Sequence, residues 1–433
     1  MRRRLAVAAA AAGVAAAALL LGGVLHGAPR AALPAAASGS AEQLQTGFAA
    51  GQSTAGLVRG LQEQLRTSPK DVDALDLLGL AYQQRARETG DPAYYTKSDG
   101  VLRRTLRLAP DDLLATSGLG SLALSRHRFR EALVLGERAQ RLSPTTSRTY
   151  GVIGDALVEL GRYGDAFRGF DTMARLKPGL AAYARVSYAR ELRGDWLGAV
   201  SAMRLALDAA IGQGESTAWT EVQLGKLYWN RGRLDDAQAG YRAALRAFPN
   251  YVYALDALAQ VEAARGRVAA AIRLEQQAVA EIPLPQFVVQ LGDLERVAGH
   301  PVAARRQYAL IHVIDRLLAA NGVKTDLELA LFAADHGSPN VALARRAEQA
   351  RPSIDGDDVL AWTLDRSGRC AEALPWSERA LRLGTKDALK FFHRGMIERC
   401  LGRPTAARAW LLRALALNPH FSVLWSPVAR RLS

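Results

Sequence analysis

Apolar residues recur at helical spacing along most of this chain, and prolines interrupt the pattern at a regular distance. The helical pattern begins at Leu57 and continues to about residue 419. Prolines recur 34 residues apart at Pro110, Pro144 and Pro178, and again at Pro249 and Pro283. Because proline cannot continue a helix and each interval can hold two helices and a turn, the pattern predicts a series of helix hairpins.

Small residues occupy fixed positions within these intervals. A glycine or alanine lies 24 residues before the closing proline, at Gly120, Gly154, Gly225, Ala259 and Gly395. An alanine follows 12 residues later, at Ala132, Ala166, Ala237, Ala271 and Ala407. Further glycines fall where the first helix of a hairpin should end, at Gly161, Gly194, Gly232, Gly266 and Gly402. Small residues let two helices approach closely, and glycine tolerates the left-handed conformation that ends a helix.

The pattern resembles the tetratricopeptide repeat, whose 34-residue helix–turn–helix unit reads W-x2-L-G-x2-Y, then A-x3-F, then P. One unit carries Leu224-Gly225, Tyr228, Ala237, Tyr241 and Pro249. The resemblance covers residues 72–419 and is looser between 285 and 385. It implies an all-α fold, a right-handed superhelical solenoid of stacked antiparallel helix hairpins. We assign residues 57–419 to an array of about ten such units, and residues 420–433 to a C-terminal capping helix.

The N-terminal segment is typical of an exported protein. Arg2-Arg3-Arg4 precedes an uncharged apolar run from Leu5 to Leu25, and small residues follow, with an Ala-x-Ala site ending at Ala37. The run of 21 residues is also long enough to span a bilayer, so residues 1–37 are either a cleaved signal peptide or a membrane anchor. Residues 38–56 are small and polar and are predicted to form a flexible linker. Both alternatives place the array outside the cytoplasm, secreted or anchored to the cytoplasmic membrane.

The net charge of +14 raises the question of nucleic-acid binding. Only seven of the 56 basic residues are lysine, and such an arginine excess beside abundant Ala and Gly is typical of GC-rich bacterial genomes. The basic residues are spread along the array singly or in pairs, whereas phosphate-binding surfaces concentrate them in a patch or stripe. A nucleic-acid partner is therefore not expected, and an RNA-binding helical-repeat protein is kept as an alternative.

No motif in the sequence indicates an enzyme. The chain has no G-x-x-x-x-G-K-[ST], G-x-S-x-G, H-E-x-x-H or C-x-x-C, and its seven histidines are scattered. We therefore predict a protein without catalytic activity, cofactor or metal. Asp355, Asp357 and Asp358 form an acidic cluster that lacks the spacing of a known calcium loop, so capping of a helix N-terminus is the favoured interpretation.

The family resemblance implies that first helices line a concave groove in which an extended peptide or a partner helix lies. The positions that would face this groove and bind the partner are Tyr188, Trp219, Lys226, Trp229, Tyr253 and Asp256, with Asp155, Trp362 and Phe392 as further inward positions. Trp219 has the alternative interpretation of a displaced core residue. The predicted function is that of a non-catalytic exported scaffold or adaptor for protein segments. A membrane-anchored assembly factor of an extracytoplasmic complex is the second alternative.

The two cysteines are predicted to be close in space. Cys370 should lie in the first turn of a second helix, and Cys400 in the last turn of the next first helix. Adjacent antiparallel helices bring such ends together, and an oxidising compartment would let a disulfide persist. Two buried free thiols are the alternative.

Overall fold

The computed structural model describes residues 53–210 and 214–433, which form 22 α-helices and no strand. Helix α1 (Thr54–Thr67) precedes ten hairpins, and α22 (Trp425–Leu432) follows them. The first helices of the hairpins are α2 (Val72–Thr89), α4 (Leu113–Ser125), α6 (Ser147–Glu159), α8 (Leu180–Leu192), α10 (Glu215–Trp229), α12 (Val252–Ala264), α14 (Pro285–Val297), α16 (Asp326–Asp335), α18 (Ile354–Arg366) and α20 (Ala388–Cys400). The second helices are α3 (Ala93–Leu108), α5 (Phe129–Leu142), α7 (Tyr163–Leu176), α9 (Trp196–Ala210), α11 (Leu234–Ala247), α13 (Val268–Glu281), α15 (Pro301–Ala320), α17 (Val341–Ala350), α19 (Cys370–Ala380) and α21 (Pro404–Leu417). The predicted all-α fold of stacked helix hairpins is confirmed.

The first helix begins earlier than the sequence indicated. Ser53 caps α1, its hydroxyl accepting a hydrogen bond from the backbone N–H of Gly56, so residues 54–56 are helical although the predicted linker extended to residue 56. The predicted signal peptide or anchor, residues 1–37, and the rest of the linker lie outside the described residues. No helix among the described residues is both long and apolar enough to cross a membrane.

Glycine and a large side chain meet inside the hairpins. Gly154 lies against the ring of Phe170, and Gly225 lies against the ring of Tyr241; a Cβ atom at either glycine would overlap the ring. The same arrangement joins Gly292 to Tyr308 in a hairpin where the sequence pattern is looser. In each of these hairpins, one small residue therefore allows the two helices to approach closely. This requirement explains why small residues recur at fixed positions in the sequence.

The superhelix touches itself after six hairpins. The turn between α4 and α5 contacts the residues before α16, with the Nε of Arg128 donating to the carbonyl of Gly322 at 3.0 Å. The turn between α6 and α7 meets the start of α18 in the same way, and the turn between α10 and α11 meets the residues after α21. Each of these turns thus meets the helix or connection that follows twelve helices later, and we call this line of contacts the seam.

Polar contacts hold the seam together. The backbone N–H of Ile354 donates to the hydroxyl of Tyr163 at 2.7 Å, and Arg351 pairs with Glu159. Thr385 donates to the carbonyl of Leu192, and the Nδ2 of Asn418 donates to the carbonyl of Trp229 at 2.9 Å. The N–H of Ile354 and the carbonyls of Leu192 and Trp229 lie at helix ends, where backbone groups lack partners within their own helix, and the seam supplies those partners.

The C-terminal hairpins end under a cap. Trp362 and Phe392, predicted to face the groove, are fully buried instead. The reason is α22: the ring of Trp425 packs against both of them, at centroid distances of 5.5 and 5.6 Å. The indole N–H of Trp362 donates to Asp335 at 2.8 Å. These two residues belong to the core, and their prediction as groove residues was wrong.

Candidate functional site

A cavity of about 540 Å³ lies inside the superhelix, between its first helices. It is lined by α4, α6, α8 and α10, with one residue from α9. Helix α8 contributes residues at positions 181, 184, 185, 187, 188 and 191, and α10 contributes 219, 223, 226 and 227. Spacings of three and four residues place each set on one face of its helix. We call this space the interior cavity.

The polar part of the interior cavity includes a fixed ion pair. Arg185 donates through Nε and Nη2 to the two oxygens of Asp155, at 2.9 and 2.7 Å, and its Nη1 donates to the carbonyl of Ala181 at 3.0 Å. A two-pronged guanidinium–carboxylate contact of this kind fixes the position of both side chains. The pair offers a rigid polar wall opposite apolar and aromatic surface.

A second cavity of about 260 Å³ lies against the seam, between α8 and α10 on one side and α18 and α20 on the other. Its walls include Lys390, whose Nζ lies 2.7 Å from Asp355 and 2.8 Å from Asp387. Burial disfavours the charge on this lysine, but the two carboxylates raise the pKa of Lys390 well above its ordinary value. We call this space the seam cavity, and its buried charges are already paired.

Three residues, Tyr188, Glu191 and Asn230, line both cavities and connect them. The Nδ2 of Asn230 donates to Glu191 at 2.9 Å. Burial raises the pKa of Glu191, and the hydrogen bond from Asn230 opposes that effect. Tyr188 is 38% exposed although it lies inside the superhelix, so its ring is accessible to a ligand.

The structure divides the six predicted groove residues. Tyr188, Trp219 and Lys226 come together on the interior cavity, and Trp229 lies on the seam cavity. Trp219 also packs against the buried core, as its alternative interpretation predicted. Trp229 packs against the same core cluster.

The last two predicted residues line neither of these cavities. Tyr253 packs against Tyr251 and Phe287, with ring centroids 5.3 and 5.7 Å apart. Asp256 accepts a hydrogen bond from Gln260 at 3.2 Å. Burial raises the pKa of Asp256 to about 6, and the nearby positive charge of Lys226 opposes the rise. Both side chains are engaged within the helical stack.

The acidic cluster of α18 has another role than the predicted capping. Ser353 caps the helix, its hydroxyl accepting from the N–H of Gly356, and the three carboxylates point to different partners. Asp355 pairs with Lys390, Asp357 with Arg379 at 3.0 Å and also with Arg382, and Asp358 contacts His393 at 3.0 Å. The carboxylates stabilise the C-terminal hairpins through these pairs.

The polar residues of the cavities that were not predicted include Arg185, Glu191 and Asn230. Arg185 and Glu191 flank Tyr188 at spacings of three on α8, and Asn230 follows the last residue of α10. The helical spacing from Tyr188 could have identified the first two. Nothing in the local sequence distinguishes Asn230, whose hydrogen-bond partner Glu191 lies 39 residues earlier in the chain.

The two cysteines lie at the predicted helix ends. Cys370 is the first residue of α19 and Cys400 the last of α20. Their Cα atoms are 5.9 Å apart and the structure joins them in a disulfide. A carboxylate oxygen of Asp365 lies within 4.8 Å of both sulfur atoms. Two thiolates and a carboxylate could also bind a metal ion if the cysteines were reduced.

Comparison with known proteins identifies the repeat. The model of the tetratricopeptide repeat family matches residues 222–284, before the loosely patterned region, and residues 359–420, which begin within it. These two segments carry tetratricopeptide repeats. A search of curated proteins found no match to this repeat protein.

Several solved structures resemble parts of this tetratricopeptide repeat protein. PilW, described as a widely conserved type IV pilus biogenesis factor, is 15% identical with a TM-score of 0.39, covering 46% of this chain and 92% of its own. A thermophilic TPR protein of Thermus thermophilus is 23% identical with a TM-score of 0.39, covering 45% and 98%. Human IFIT1, a dimer with PPP-AAAA, is 14% identical with a TM-score of 0.48, covering 83% and 86%. Identities this low say nothing about partners.

Proposed function

We propose that this repeat protein is a non-catalytic, exported scaffold that binds a segment of another polypeptide in its interior cavity. One observation carries the proposal: Tyr188, an accessible aromatic residue, lies beside Trp219 and Lys226 in a cavity with a rigid ion pair. Ligand sites in proteins combine apolar surface with a few fixed polar groups in this way. Aromatic residues are also the usual anchors of protein interfaces.

The charges of the cavities favour a polypeptide over RNA. Positive Arg185 and Lys226 alternate with Asp155 and Glu191 along the walls, and Arg185 is already paired. A nucleic-acid backbone needs a cation for most of its phosphates and would meet carboxylates here. A peptide carries both signs of charge and apolar side chains, so it matches a mixed surface better.

Export is part of the proposal. The basic start, apolar run and Ala-x-Ala site of residues 1–37 support it, and a disulfide between Cys370 and Cys400 would persist in an oxidising compartment. Fractionation of cells that produce the full chain, with protease added to intact spheroplasts, tests this. Protection from the protease in intact spheroplasts would contradict export.

Peptide binding is tested with a random-peptide display library selected on the full chain. Selected peptides are synthesised with a fluorescent label, and Kd is measured by anisotropy for the wild type and two variants. Tyr188→Ala removes an accessible ring that belongs to none of the buried core clusters, and we expect a loss of at least about 1 kcal/mol in binding. Leu197→Ala is the control, because Leu197 is 74% exposed on α9 and lines neither cavity.

The outcomes separate the candidates. A Tyr188→Ala loss of affinity with unchanged binding by Leu197→Ala supports the interior cavity as the site. Equal affinity of both variants would place binding elsewhere. A labelled single-stranded RNA serves as the competing probe, and tight RNA binding at physiological salt without selection of any peptide would favour the RNA-binding alternative.

A further inference from the structure

Arg148, in the first turn of α6, is a buried guanidinium without a partner. Its side chain is only 3% exposed, and Nε and Nη2 have no hydrogen-bond acceptor within the described residues. No carboxylate in residues 53–210 or 214–433 forms an ion pair with it. Arg185 on the neighbouring helix α8 is the useful contrast, because its guanidinium is fully engaged by Asp155.

Leaving a guanidinium in this state is costly because burial removes its water without giving it an acceptor. Burial, and then the positive charge of Arg87, lowers the pKa of Arg148 to about 10. At neutral pH the group therefore stays charged. A charge that stays buried and unpaired in the free protein is a feature that a structural role does not explain.

Arg148 is not itself a lining residue of the interior cavity, but it shares a helix face with two residues that are. Val152 and Asp155, which line that cavity, follow it on α6 at spacings of four and seven residues and so lie on the same face. A second guanidinium, that of Arg87 on α2, also has a buried Nε without a partner. Among acidic groups, Glu215 has the largest effect on the pKa of Arg87. Burial raises the pKa of Glu215 to about 7, and the positive charge of Arg87 opposes this rise. Glu88 also acts on Arg87, so Arg87 has two acidic neighbours, whereas among the described residues the only charged group that acts on Arg148 is Arg87 itself.

We propose that Arg148, with Arg87 beside it, binds the carboxylate of an acidic residue in the polypeptide segment that occupies the interior cavity. The inference rests on the proposed peptide-binding function and adds one specificity to it. A guanidinium presents two parallel N–H donors that match the two oxygens of a carboxylate. The unpaired guanidinium of Arg148 needs one anionic group, which a single carboxylate supplies, whereas a polyphosphate chain would also meet Asp155 and Glu191 in the interior cavity.

The first test is the stability of the free protein. Arg148→Gln removes the unpaired charge, so we expect the full chain to melt a few degrees higher than the wild type. Arg185→Gln should lower the melting temperature, because it leaves Asp155 unpaired. Arg141→Gln is the neutral control, since Arg141 is exposed on α5. A decrease for Arg148→Gln similar to that for Arg185→Gln would mean that Arg148 is structural, and the proposal would fail.

The second test is the composition of selected peptides. Wild-type protein should enrich Asp or Glu at one fixed position of the displayed peptides, and Arg148→Gln should lose that preference while still enriching peptides. Replacing that acidic residue by Gln in a synthetic peptide should raise Kd at least tenfold for the wild type and leave Kd for Arg148→Gln unchanged. Arg148→Lys should recover only part of the affinity, because it keeps the charge without the paired donors.

Each remaining outcome bears on one proposal. If peptides bind but show no acidic preference, or prefer phosphoserine to glutamate, the carboxylate site is overturned and peptide binding stands. If no peptide is enriched by any variant, the proposed function fails. In that case the carboxylate site is tested without a peptide, by exchanging sodium chloride for sodium acetate at constant ionic strength. Acetate should raise the melting temperature of the wild type more than that of Arg148→Gln. Equal shifts in the two proteins would overturn the site.

Discussion

Tyr163→Phe is the sharpest perturbation of the seam because it removes a single oxygen atom. That hydroxyl accepts the backbone N–H of Ile354 at 2.7 Å across 191 residues of sequence. Ile354 is the first residue of α18, and N–H groups in a first turn have no acceptor within their own helix. Both side chains are buried, so water does not replace the hydroxyl while the seam is closed.

The size of the effect follows from this geometry. A buried N–H that loses its acceptor costs about 1–3 kcal/mol, and every 1.4 kcal/mol is a factor of ten in an equilibrium. Tyr163→Phe should therefore increase the population with an open seam about 5- to 150-fold. Unfolding of the hairpins themselves should change less, since each repeat is stabilised mainly by its immediate neighbours.

Hydrogen exchange followed by mass spectrometry measures this opening directly. We expect faster exchange at the start of α18 and near Tyr163 in the Tyr163→Phe variant. Tyr150→Phe is the matched control: its hydroxyl also bonds a backbone group, donating to the carbonyl of Pro144 at 2.8 Å, but this contact is exposed and lies within six residues. Identical exchange at α18 in the two variants would refute the role of Tyr163 at the seam.

Three further predictions concern the hairpins. Gly225→Ala should destabilise the protein by roughly 1–3 kcal/mol in urea unfolding because the new methyl group meets the buried Tyr241 ring. Gly100→Ala, with open space around it, should stabilise α3 by up to about 1 kcal/mol. Similar effects of the two substitutions would contradict the packing argument. Burial, and then the charge of Asp256, raises the pKa of Glu275 from 4.5 to about 9. The folded protein keeps a proton that the unfolded chain releases, so melting temperature should fall as pH rises between these values, and Glu275→Gln should flatten that dependence; an unchanged slope would assign it to other groups. For Cys370 and Cys400, the intact mass after alkylation should show two added groups only when reductant is present. The disulfide should contribute about 2–4 kcal/mol to the free energy of unfolding. Alkylation that depends on a chelator instead of a reductant would indicate bound metal.

The repeat was predictable because its determinants are local. Gly154 and Gly225 meet their rings within one hairpin, and glycines such as Gly161 and Gly232 end first helices with φ of 72° and 67°. Each of these contacts joins residues fewer than 20 positions apart, so a fixed offset in the sequence records it. The same logic located Cys370 and Cys400 at facing helix ends.

The seam was not predictable in this way. The seam hydrogen bonds described above join residues 189 to 194 positions apart, and whether these residues meet depends on small rotations summed over six hairpins. The groove prediction assumed an open concave face. Closure of the superhelix divided that face into two cavities, and α22 covered Trp362 and Phe392, so the predicted site residues separated into cavity and core.

Closure also determines how a partner could reach Arg148 and the interior cavity. Successive turns touch along the seam, so a polypeptide enters either along the superhelix axis or after seam contacts break. Tyr163→Phe distinguishes the two routes. If opening of the seam limits entry, the association rate constant of a selected peptide should rise by the same factor as the open population, about 5- to 150-fold. If the peptide enters along the axis, that rate constant should equal those of the wild type and Tyr150→Phe while hydrogen exchange still increases. Measuring the association rate constant and hydrogen exchange on the same variants therefore tells whether the seam must open for the partner to bind or only stabilises the fold.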